Sequence, residues 1–323
     1  MIHHSFLHHC FHAFNLPPDS IESLVCPCCS PSTTIPYQTS IVKTREAAIA
    51  EHESVNDLVH IYCDSLGVGG KIGAASVLQC GTNEPHSLCY HLGSDKEHTV
   101  YEVEAVGLTL TAKLLASKKD PSFPISIYVD NQAVIQSSEN PSAKPGHYIL
   151  CHFHRMIHTI KKKHGIPMSH IMVRWISGHD GVEGNKSTDK QAKPATKNPR
   201  NNSPARRPPL FLCKGILLSS VSALKQAQKD QLKTRWTLTW KQSPHFQLAA
   251  QYQAPEPSPK FLKLASTLPQ CHISLIVWLC TAHITLNKHL HHIKKSASPL
   301  CPYCDKIETV EHYLTICPQY IYP

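Results

Sequence analysis

Residues 59–94, VHIYCDSLGVGGKIGAASVLQCGTNEPHSLCYHLGS, decide the fold. Apolar residues alternate through VHIYCD and again through KIGAASVLQC, with a Gly-rich turn between them, and SLCYHLG repeats the pattern. Period-two alternation interrupted by glycine predicts strands joined as hairpins, here three in succession. The period then changes. Tyr101, Val103, Val106, Leu108, Leu110, Leu114 and Leu115 supply the apolar residues of a helical run, and a Pro-flanked strand, ISIYVD, follows. A helix from Tyr148 to His164, a fifth strand HIMVRWI and a last short helix complete the run.

Three antiparallel strands followed by βαβα crossovers imply an α/β fold with a mixed five-stranded sheet. A crossover after a hairpin unit commonly returns the chain beside its first strand, so the first and fourth strands are expected as neighbours.

Around this core the chain changes texture. Residues 1–55 are His-, Pro- and Ser-rich and read as an appendage that ends in a short helix, Lys43 to His52. Residues 56–197 hold the sheet. Residues 198–215 belong to a basic, Pro-rich stretch without acids, the composition of a solvated linker. Residues 216–323 read as helical: Ser219 to Lys241 carries Trp236 and Trp240 four residues apart, both assigned to the core, and a second apolar helix spans about Ile273 to Leu290.

With 32 Lys+Arg against 23 Asp+Glu among 323 residues, the formal net charge is +9, which favours an acidic partner. A hydrophobic share of 41% excludes whole-chain disorder. Fourteen cysteines without a signal-peptide pattern point to reduced thiols inside the cell. The longest uncharged run, Leu264 to Asn287, is broken by Pro269, Gln270, His272 and Ser274, so a buried helix is expected and no membrane span.

Four acids occupy separate elements. Asp64 ends the first strand, Asp130 ends the fourth, Glu104 lies in the first helix beside an apolar face, and Asp189 lies in the helix after the fifth strand. Carboxylates gathered in one cleft repel unless cations neutralise them, and a set without Cys or His selects Mg²⁺ or Mn²⁺. Two such ions suit in-line hydrolysis of a phosphodiester. Near the C-terminus Cys301, Cys304, His312 and Cys317 form CxxC…HxxxxC, a tetrahedral Zn²⁺ set. Cys26, Cys28 and Cys29 are too crowded for one such site.

IYCDSLGVGGKIGAASVL, YEVEAVGL, IYVDNQAVI and WISGHDGVEGNKSTDKQAK together resemble the type 1 ribonuclease H domain, in the version found in fungal non-LTR retrotransposon polyproteins. The resemblance spans about residues 58–195. It implies a ribonuclease H-like fold, an RNA–DNA hybrid as partner, and hydrolysis of the hybrid's RNA strand. By motif position it makes Asp64, Glu104, Asp130 and Asp189 the Mg²⁺-binding acids. It makes His179 the mobile-loop histidine that assists proton transfer or product departure, and Ser65, Asn131, Gln132 and Asn185 contacts to the nucleic acid. CPYCDKIETVEHYLTICPQY resembles the zinc knuckle that ends such polyproteins. SFLHHCFHAFNLPPDSIESL resembles the segment that precedes their ribonuclease H domain, which implies a piece or descendant of a larger polyprotein with nuclear residence. One departure stands out. The family has Asp-Gly-Ser at the first acid, whereas this chain has Asp64-Ser65-Leu66, adding a Cβ where backbone approaches RNA. A binding remnant that cleaves poorly is therefore a second expectation.

Overall fold

In this computed structural model, residues 17–22, 35–81, 83–139, 144–178, 182–204, 207–213, 217–243, 246–247 and 259–321 are described. The chain divides into two compact units, Met1–Ala227 and Gln228–Pro323. Cys26, Cys28, Cys29, His179 and most of the segment likened to a polyprotein linker lie outside the described residues.

The first unit contains β1 (Gln38–Ser40), α1 (Arg45–Ser54), β2 (Val59–Val68), β3 (Lys71–Cys80), β4 (His86–Ser94) and α2 (Val100–Ser117). It continues with β5 (Ile125–Val129), α3 (Gln132–Glu139), α4 (His147–His164), β6 (Ile171–Trp175), α5 (Glu183–Lys197) and the short α6 (Leu210–Cys213). The sheet order is β1-β6-β5-β2-β3-β4. β2, β3 and β4 pair antiparallel, and β2, β5 and β6 pair parallel, so the mixed sheet and the neighbouring first and fourth predicted strands are as expected.

Two features differ. A sixth strand, β1, comes from the supposed appendage and pairs parallel with β6. Three residues, QTS, carry no readable period; they are strand because β6 would otherwise present an unpaired edge. β2 also runs past Asp64 to Val68, since β3 pairs with it down to Lys71. The turn that joins them uses Gly69 and Gly70, both at positive φ (60° and 76°), as tight hairpin turns require.

Alternation along β2 assigns its two faces. Val59, Ile61 and Cys63 enter the main core with Val103, Val106 and Leu110 of α2 and Ile149, Phe153 and Ile157 of α4. His60 and Tyr62 face the other way, where the Tyr62 and Tyr128 rings stack at 5.0 Å and His52 of α1 meets the Tyr62 hydroxyl at 2.8 Å. α2 is buried along nearly its whole length, and a reciprocal Thr99–Glu102 capping box starts it.

The described residues of this stretch, 198–204 and 207–213, are not the solvated tether that its composition suggests. The Ser203 amide donates to the Cys89 carbonyl (3.0 Å), the His91 amide donates to Asn202 Oδ1 (2.6 Å), and Leu212 is buried in the core. This stretch covers the outer edge of β4.

The second unit is helical, with the remainder of α7 (Val221–Lys241), then α8 (Pro259–Thr267), α9 (Gln270–Thr281), α10 (Asn287–His292), a π turn at His312–Ile316 and α11 (Pro318–Ile321). The buried apolar helix expected after Leu264 is corrected here: α9 has no buried residue. The core assignment of the tryptophans is corrected too, since Trp236 is exposed and Trp240 only half-buried. Among the described residues no helix is long and apolar enough to cross a membrane.

Candidate active site and metal centre

β2 and β5 run parallel, and their last shared pair is Cys63 with Val129. The next residue on each chain is an acid, so Asp64 and Asp130 emerge side by side. Asp64 lies on the Tyr62 face of β2, against which α5 packs, and Asp189 of α5 is one of the charges that act on it. Ser65, on the opposite face, donates its hydroxyl to Glu104 Oε1 of α2. One carboxylate oxygen from each of Asp64, Glu104 and Asp130 lies within 4.8 Å of the others.

The electrostatics follow from this crowding. Burial, followed by the charges of Asp130 and Asp189, pushes the Asp64 carboxyl up to about 8. Burial and then Asp130 hold Glu104 well above the usual carboxylate range, while the Ser65 hydrogen bond acts in the opposite direction. Glu104 Oε2 is buried with no hydrogen-bond partner. An all-oxygen donor set with a free buried oxygen fits a hard divalent cation such as Mg²⁺ or Mn²⁺.

The other expected contacts fall close by in sequence or fold. Asn131 and Gln132 follow Asp130 at the start of α3, and Asn131 Oδ1 accepts the Val134 amide at 3.3 Å, so this side chain caps the helix. Asn185 is buried one turn before Asp189 on α5, and its Oδ1 has no partner. Sequence reasoning missed the clamp on Asp130: Trp175 Nε1 donates to its carbonyl at 2.9 Å. A tryptophan at the end of a strand carries no pattern that would have revealed this. It also missed the Ser65–Glu104 hydrogen bond, which joins residues 39 apart in the chain.

Cys301, Cys304, His312 and Cys317 converge in the second unit, with one ligand atom from each inside the same 4.8 Å limit. Cys301 Sγ lies 3.9 Å from Cys317 Sγ, and Cys304 Sγ lies 3.3 Å from His312 Nε2. A tetrahedral Zn²⁺ with Zn–S bonds near ~2.3 Å needs ligand separations of about 3.8 Å. The residues fit that ion.

Three solved structures are similar to this fold. LC11-RNase H1, in complex with RNA/DNA hybrid, is 16% identical, with 43% of this chain and 96% of its own covered and a TM-score of 0.31. LC9-RNase H1, a type 1 RNase H with the type 2 active-site motif, is 14% identical, with 44% and 73% covered and a TM-score of 0.32. RNase H1 from the halophilic archaeon Halobacterium salinarum NRC-1 is 17% identical, with 42% and 96% covered and a TM-score of 0.28. No protein-family model matches the chain, and no curated protein matches it.

Proposed function

We propose that this protein hydrolyses the RNA strand of RNA–DNA hybrids, with divalent cations held by Asp64, Glu104, Asp130 and Asp189. The observation that carries the reading is the convergence of three buried or half-buried acids, from the middle of β2, the end of β5 and a helix, within 4.8 Å. Two Mg²⁺ or Mn²⁺ ions would neutralise these carboxylates and polarise the phosphodiester. Asp64 and Asp130 anchor the site from adjacent strands, Glu104 offers its free Oε2, and half-buried Asp189 closes the side toward α5. His179 would carry the proton to the departing oxygen. Ser65, Asn131, Gln132 and Asn185 would line the path of the nucleic acid, with RNA distinguished by its 2′-hydroxyls.

In the same reading the chain is of retrotransposon type, nuclear, and ends in a zinc knuckle. Zn²⁺ at Cys301, Cys304, His312 and Cys317 staples a unit whose helices bury little of their own surface. A second reading, a binding remnant that cuts poorly, is favoured by one observation: the residue after Asp64 carries a side chain, Ser65, which lies against Glu104.

Mg²⁺-dependent cleavage of a labelled hybrid, beside duplex RNA, duplex DNA and an Asp130→Asn control, separates the two. Cutting of hybrid RNA alone, abolished by Asp130→Asn, is the expected result. A folded protein that binds hybrid without cutting it would establish the remnant instead, and gain of cutting by Ser65→Gly would then assign the defect to the Ser65 side chain.

A further inference from the structure

α7 was expected to turn its tryptophans into a core, yet the Trp236 side chain stands in solvent, 52% exposed. The Trp236 and Trp240 rings lie parallel, 6.2 Å apart with an 8° interplanar angle, and Phe246 meets Trp240 edge-on at 6.3 Å. At about 100° per residue, Lys229, Lys233, Trp236 and Trp240 fall within a sector of roughly 60° on the helix. Lys229 and Lys233 are exposed. The face therefore presents two ammonium groups at one end and two parallel indole planes at the other. From Lys229 to Lys241 the helix carries four cations against Asp230 alone.

An apolar protein partner would meet lysines over half of this stripe, and an acidic one would leave the indoles wet. An unpaired nucleic-acid strand answers both halves, because phosphates pair with ammonium groups and base planes stack on aromatic planes. We propose that this face of α7 is a docking platform for single-stranded nucleic acid. Phosphates bind at Lys229 and Lys233, and bases stack on Trp236 and Trp240. With the ammonium groups engaged on phosphates and the indole rings on base faces, the contacts carry no base-edge pattern and none to a 2′-hydroxyl, so binding is indifferent to sequence and sugar. The platform contains no residue of the acid cluster and goes beyond the hydrolytic reading.

The test uses the full zinc-loaded chain carrying Asp130→Asn, so that cleavage does not enter the readout. Fluorescence anisotropy follows binding of short labelled oligo(dT) and oligo(rU) over a range of salt, alongside tryptophan emission. Both strands should bind with similar affinity and quench indole emission. Trp236→Leu with Trp240→Leu should weaken both by about tenfold or more, while Trp236→Tyr with Trp240→Tyr should retain most of the affinity. Lys229→Gln with Lys233→Gln should flatten the dependence of log K on log salt by roughly 1 to 2. Unchanged affinity in the Leu pair overturns the platform, as does a self-association that only the Leu pair abolishes, which would make the face an interface between two copies. If the Leu pair loses helix by circular dichroism, the Gln pair decides, and an unchanged salt slope then rejects the proposal. None of these results alters the case for hybrid cleavage, which is measured on the unsubstituted active site.

Discussion

At the scale of single residues, Ser65 acts directly on the acid cluster. Its hydroxyl donates to Glu104 Oε1 and favours the ionised carboxylate against a burial that opposes it. Ser65→Ala removes that donor, so a cation must displace a more tightly held proton. Mn²⁺ affinity near neutral pH should fall several-fold in Ser65→Ala and recover in Ser65→Thr, measured by calorimetric titration; equal affinity in all three would refute the positioning role. Glu102 gives a second residue-level expectation. Burial, opposed by the Thr99 amide and reinforced by Glu22, raises its carboxyl from 4.5 to about 7. The folded chain then holds a proton that the unfolded chain releases. The stabilisation is complete below about pH 4.5 and is lost as pH rises through about 7, a swing on the order of 1–3 kcal/mol. Urea midpoints should fall over that window, and Glu102→Gln should flatten the decline.

At the scale of elements, the site depends on how closely α5 lies on the sheet. Gly184, in its first turn, faces the Tyr62 ring so tightly that a Cβ would overlap ring atoms. Gly184→Ala should push α5 outward, moving Asn185 and Asp189 with it. A loss of about 1–3 kcal/mol in denaturant unfolding is expected, together with a drop in hybrid cleavage. Retained stability and rate would show that the helix yields without moving the acid. The hairpin strands, α2 and α4 were legible because their apolar periods are long and set by a single core. β1 was not, because its three residues are strand only through the edge that they complete. The stretch 198–215 was misread for a related reason. Its composition is polar and Pro-rich, but the Ser203 amide and the Asn202 side chain bond the open edge of β4.

At the scale of the whole molecule, two units separate the chemistry. The acid cluster belongs to the sheet unit and the thiol cluster to the helical one. Chelation of Zn²⁺ should therefore abolish protease resistance and helical signal in residues beyond 228 while the sheet unit keeps its unfolding transition. Cooperative loss of both transitions would contradict independent units. The net charge of +9 gives the whole chain a salt-sensitive attraction to phosphate backbones, and the α7 stripe concentrates part of it beside aromatic planes.

The sequence alone determined the mixed sheet, the four acids as a candidate set and the four zinc-type ligands, because each rests on local period or fixed spacing. Short-range order in the chain is enough to express such patterns. Tertiary structure alone decided that Cys63 and Val129 are paired, which brings Asp64 beside Asp130, and that Ser65 reaches Glu104. It also decided that the stacked pair lies outside the core, with Trp236 exposed and Trp240 half-buried. Strand register and helix burial are set by contacts between residues far apart in the chain, and periodicity along one segment carries no information about which partner the other segments leave it.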